Sequence, residues 1–145
     1  DHAQRDHLDL QFLQTCLPFG TPDNPTVAKA VDAARELFPD EFSTLDAQPA
    51  PVGFAHAYDL GLILMAALRT VPIDGDISTV RARVRDALEN LQEPIPGLVK
   101  TYQTPFSAEG FDAHEALGAE DLCLARYNAE GAIEFLEFGT GSISQ

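Results

Sequence analysis

The chain has 145 residues, 45% of them apolar and 22% charged. These are the proportions of one folded domain, and they exclude a wholly disordered, collagen-like or low-complexity protein. Nine Lys and Arg against 23 Asp and Glu leave a formal charge of −14, which repels phosphate backbones and anionic membrane surfaces and argues against nucleic-acid binding.

No window offers the roughly 18–20 uninterrupted apolar residues that span a bilayer, so no membrane crossing is expected. The first residues, Asp1-His2-Ala3-Gln4-Arg5, lack the basic start, apolar middle and small-residue cleavage site of a signal peptide, and they speak neither for nor against export.

In chain order, Leu8, Leu10 and Phe12 alternate with Asp9 and Gln11, and Leu13, Thr15 and Leu17 continue on the other parity. A period of two predicts a strand, and the parity change implies burial on both faces or a bulge. Pro18 to Pro22 ends it, because proline cannot donate to a ladder. Asn24-Pro25 supplies a cap followed by proline at the first helical position. Val27, Val31, Ala34 and Phe38 then recur at helical spacing up to Pro39.

Phe42 to Pro51 has turn residues and no period, and predicts a loop. Phe54 to Arg69 is apolar nearly all round and predicts a helix buried on most faces. After the turn Pro72 to Asp76, Ser78 is placed to cap a third helix with Val80, Val84, Leu88 and Leu91 as its apolar stripe. Pro94 and Pro96 close it. Leu98 to Tyr102 suits a short strand, Thr104 to Asp121 a polar connection. Leu122 to Tyr127, the turn Asn128 to Gly131, and Ile133 to Phe138 form a β-hairpin. The predicted order is β, α, α, α, β, β, β, with a doubly apolar first strand and an all-round apolar helix that both call for more covering than this chain supplies.

Candidate chemistry is sparse. Gly53-Phe54-Ala55-His56-Ala57-Tyr58-Asp59 opens the apolar helix, and a helix N-terminus can receive an anionic or polar ligand, with Phe54, His56 and Tyr58 as aromatic walls and hydrogen-bonding groups. The competing reading is plain core packing. Ser107, Asp112, His114 and Glu115 are the most polar cluster, but no GxSxG elbow accompanies them and no paired histidines or cysteines point to a metal. A loop bonded to its own backbone is the simpler reading. His2 and His7 suit a solvated terminus. No DxDxDG, Walker or GxGxxG pattern occurs. Cys16 and Cys123 lie far apart, each in an apolar stretch. Two buried free thiols are the favoured reading, and a long-loop disulfide of an oxidising compartment is the alternative.

The order of the pieces carries more than any one of them. The strand ending in Cys16-Leu17-Pro18, the helix Asn24 to Phe38, Phe54-Ala55-His56-Ala57-Tyr58-Asp59-Leu60 running into Leu62 to Leu68, and Val80 to Leu88 come first. Gly97-Leu98, Pro105-Phe106-Ser107, His114 to Leu117, and the hairpin Leu122 to Leu136 follow. Over residues 8 to 138 this ordered set resembles the C-terminal part of type I periplasmic solute-binding proteins, the receptors of branched-chain amino acid and related ABC importers.

That resemblance implies an α/β fold: the C-terminal part of a two-lobed type I periplasmic-binding-protein fold with three-layer αβα lobes. Residues 1–145 would be a C-terminal fragment, with 8–20 a second-lobe strand and crossover, 24–92 first-lobe helices, and 97–138 return strands and hairpin. It implies a periplasmic ABC transporter component that closes on a small amino-acid-like or aromatic solute. No enzymatic step, cofactor or metal is implied. Phe54, His56 and Tyr58 would face the ligand from one lobe, and Asp9 or Gln11 from the other. Partners would be the small-molecule ligand, the missing N-terminal part or a second copy, and the membrane permease, with no nucleic acid. Two alternatives stand beside it: a ligand-sensing or structural α/β domain completed by a partner chain, and a small hydrolase using His114 with Asp112 or Ser107.

Overall fold

The computed structural model describes residues 10–17, 25–42, 51–111, 113–129 and 133–136. They form a small mixed α/β unit of three helices and two small sheets. Strand β1 (Gln11–Thr15) leads into helices α1 (Pro25–Leu37), α2 (Pro51–Leu68) and α3 (Ile77–Glu89). Strands β2 (Ile95–Pro96), β3 (Thr101–Tyr102), β4 (Leu122–Tyr127) and β5 (Ile133–Phe135) follow.

Helix α1 begins at Pro25, as its sequence predicts, and buries Val27, Ala30, Val31 and Ala34. Helix α2 begins at Pro51, a turn earlier than the apolar period indicates, because proline is well tolerated in a first turn. Its buried residues, Ala55, Asp59, Ile63 and Ala67, repeat every four positions along one stripe. The N-terminal half of that stripe meets α1 and Leu98, with Leu17, Phe54, Tyr58 and Val99 packed around them. The C-terminal half meets Leu91, Ile95 and Tyr102, flanked by Ala87 and Leu88 of α3.

Three sequence expectations about these helices are corrected. Helix α2 is not covered all round: Leu60 is 59%, Leu64 41% and Met65 48% exposed, so an apolar face stands bare. With 18 residues and a mean hydropathy of 1.4, α2 is also long and apolar enough to cross a bilayer by length and composition, contrary to the expectation from uninterrupted runs. Asp59, the interruption, lies on the buried stripe. Third, the cap of α3 is Asp76 rather than Ser78: the Asp76 carboxylate accepts from the Ser78 and Thr79 amides, both at 3.0 Å, and from their hydroxyls. Ser78 is itself inside the helix.

Both sheets are antiparallel. The larger has the order β1-β4-β5, with Gln11 opposite Arg126, Leu13 opposite Leu124 and Thr15 opposite Leu122. The hairpin β4–β5 pairs Ala125 with Phe135 and Tyr127 with Ile133, as the turn signal predicts. In an antiparallel pair, opposite residues share a face. Thr15, Leu13 and Leu122 are therefore on one side, and Phe12, Cys123, Ala125 and Tyr127 on the other. The Phe12 and Tyr127 rings lie 5.0 Å apart, and Ala125 is fully buried. The short return strand expected at 98–102 is instead a tight β2–β3 hairpin, Ile95 opposite Tyr102, closed by Gly97 N–H donating to the Lys100 carbonyl at 2.9 Å. Three-layer lobes around a parallel sheet are not formed among the described residues.

Candidate functional site

Cys16 and Cys123 are joined in a disulfide with a Cα separation of 5.0 Å. The expectation of two buried free thiols is thereby overturned. The antiparallel register explains why: Gln14 opposes Cys123 and Thr15 opposes Leu122, so the residue after β1 arrives beside the start of β4. The Cys16 amide also donates to the Asp121 carbonyl at 2.8 Å.

Next to this corner, Thr15 Oγ1 and His56 Nε2 are hydrogen-bonded at 2.9 Å across a sequence separation of 41. Thr15 is buried and His56 is exposed. The bond joins the last residue of β1 to the second turn of α2. The sequence singles out His56 but not Thr15, whose only advance signal is that it shares the parity of Gln11 and Leu13.

The other predicted contacts separate. Phe54 and Tyr58 are half-buried, with ring centroids 6.2 Å apart, and Phe54 stacks obliquely on Phe42 at 5.0 Å. Both pack against the core shared with α1. Gln11 is exposed at the opposite end of β1 from Thr15, about 13 Å away at the usual rise per strand residue. Asp9 lies outside the described residues.

Behind the corner is a buried carboxylate. Asp59 is 2% exposed and accepts from the Leu98 amide at 2.5 Å, the Val99 amide at 2.9 Å and the Tyr102 hydroxyl at 2.9 Å. Two backbone dipoles and a phenol replace water around the charge, which makes its burial tolerable. Burial first, then the bond and charge of Asp59, push the Tyr102 phenol well above its ordinary range and keep it a donor.

A cleft of about 710 Å³ opens on the outer side of β3, between residues 100–105 and 115–120. Lys100 is engaged there: its ammonium donates to Asp121 Oδ2, which also accepts from the Gly118 amide at 2.8 Å. Thr104 on the cleft wall has φ +49°, uncommon for a β-branched residue. The Ser107 hydroxyl donates to the Glu109 carbonyl at 2.7 Å, within its own loop. The exposed His114 faces Glu89 at 3.8 Å rather than Ser107, and Asp112 lies outside the described residues. Among the described residues no group of three or more His, Cys, Asp or Glu is gathered to hold a metal ion.

No family model, curated protein or solved structure matches this chain.

Proposed function

We propose that this chain is part of an extracytoplasmic solute-binding receptor of an ABC importer. It holds a small amino-acid-like or aromatic solute, unchanged, at the corner where β1 meets α2. The observation that carries the reading is the Thr15–His56 bond, which places a polar side chain from the sheet against one from the helix, with aromatic rings behind. Ligand contacts drawn from two separately built bodies are what a closing receptor requires. The ordered resemblance over residues 8 to 138 supports the same assignment, and the disulfide is compatible with an oxidising compartment. The bare face of α2, Leu60, Leu64 and Met65, supports completion of the lobe by further polypeptide of the receptor. That same face also favours a second reading, a sensing or structural domain completed by a partner chain.

Calorimetric titration with leucine, phenylalanine, tyrosine and aromatic carboxylic acids tests the proposal. Saturable binding by one of them, weakened about tenfold in His56→Ala and Thr15→Val as befits one lost hydrogen bond, and unchanged in His114→Ala, supports it. Absence of binding across the panel, or turnover that depends on His114, overturns it.

A further inference from the structure

Two short segments tie the sheet to the helices. Thr15 bonds His56 of α2, and Leu17 packs on the core shared by α1 and α2. Opposite them, Asp121 receives the Lys100 ammonium through its carboxylate and the Cys16 amide through its carbonyl. Lys100 follows the Leu98-Val99 turn that Asp59 of α2 holds by two amides. The contacts close a ring: His56, Thr15, Cys16, Asp121, Lys100, Val99 and back to α2 through Asp59, one helical turn from His56. The Cys16–Cys123 disulfide starts from that ring at Cys16 and covalently joins its two sheet-side segments.

We propose that Cys16–Cys123 is a redox-modifiable clasp whose co-reactant is a dithiol, and that its opening releases β1 from α2 and separates Thr15 from His56. Both cysteines are half-buried rather than sealed, so a small dithiol has access. One thiolate of the reductant attacks a sulfur of the pair, breaking the Cys16–Cys123 bond and forming a mixed disulfide. The second thiol of the reductant then displaces the protein sulfur. Two protons and two electrons pass to the protein, leaving two cysteine thiols and a cyclic disulfide of the reductant. Once the covalent tie is gone, β1 is a five-residue edge strand without a covalent link to β4, and the Cys16–Asp121 and Thr15–His56 bonds have to be kept by their own modest strength. For its consequence on ligand affinity the inference rests on the receptor reading. The clasp itself does not, and its test uses no ligand.

Amide hydrogen exchange and imidazole NMR are followed in the oxidised protein, in protein reduced with dithiothreitol, and in the Cys16→Ser/Cys123→Ser double variant. Protection of the amides at positions 13–16 should fall about tenfold or more in both opened forms, the change expected when a hydrogen-bond-sized tie is lost from the closed state. The His56 ring resonances should move toward those of Thr15→Val, and the loss of protection at positions 13–16 should exceed by about tenfold whatever loss the lower global stability brings to the α2 and α3 amides. Unchanged protection at positions 13–16 with an unmoved His56 ring overturns the proposal. So does equal loss of protection in sheet and helices, which would make the disulfide a staple of the whole fold rather than of this junction.

Discussion

A methyl group added at Gly97 would lie 2.6–2.7 Å from the carboxylate atoms of Asp59, so this turn can approach α2 only with glycine at that position. Gly97→Ala should therefore destabilise the protein by about 1–3 kcal/mol, the usual cost of overpacking. Asp59→Ala should cost on the order of 3 kcal/mol by leaving the Leu98 and Val99 amides and the Tyr102 hydroxyl without their acceptor. Because the smaller side chain also makes room for the methyl, the double substitution should cost less than the two singles together in urea denaturation. Asp76 makes a pH prediction. The Ser78 hydroxyl first, then the Thr79 hydroxyl, hold its carboxyl well below the usual carboxylate range. A depressed folded value adds stability above the unfolded value of about 3.9, and that stability is lost as the pH falls through the folded one. Asp76→Asn should keep the cap at neutral pH and flatten the acid limb of a melting-temperature profile, whereas Asp76→Ala should lower the melting temperature at neutral pH as well.

At the scale of the elements, α2 has two faces of similar composition and different fates. Ile63 is 2% exposed and Leu64 is 41% exposed. Ile63→Ala should cost about 2–5 kcal/mol through lost burial and a cavity. Leu60→Gln and Leu64→Gln should each change chain stability by less than about 0.5 kcal/mol. Chemical denaturation of the three variants checks this asymmetry, and equal losses would show that the bare face is covered within this chain. The helices and the β4–β5 hairpin were legible in the sequence because their signals, helical apolar spacing, a proline at the first turn of α1 and a glycine-containing turn, are local. Which side of α2 faces inward was not legible. With apolar residues on nearly every face, the hydropathy pattern has no direction, and only Asp59 marks the buried stripe.

Across the whole molecule, the disulfide closes the longest loop, a separation of 107 residues. Cross-links of that reach stabilise chiefly by restricting the unfolded chain, so reduction should lower global stability by about 2–5 kcal/mol, seen as a lower urea midpoint monitored by far-ultraviolet circular dichroism. An unchanged midpoint would show that the unfolded chain gains no freedom from the break. The candidate site is a molecular-scale feature in the same sense. His56 was recognisable from its place in an aromatic helix opening, but its partner came from a strand 41 residues away. Phe54 and Tyr58, in the same helix opening, pack against the core shared with α1, and Phe54 also meets Phe42.

The amino-acid sequence alone determined the helices, the hairpin, the acidic charge and the apolar character of α2, all consequences of composition and of contacts within a few residues. Tertiary structure alone decided that β1 lies antiparallel to β4, that Cys16 thereby meets Cys123, that Asp59 holds the turn before β3, and that Thr15 meets His56. Those pairings depend on how separate elements settle in space. A side-chain period fixes which way a residue points along its own element, and contains nothing about which distant element will stand opposite it.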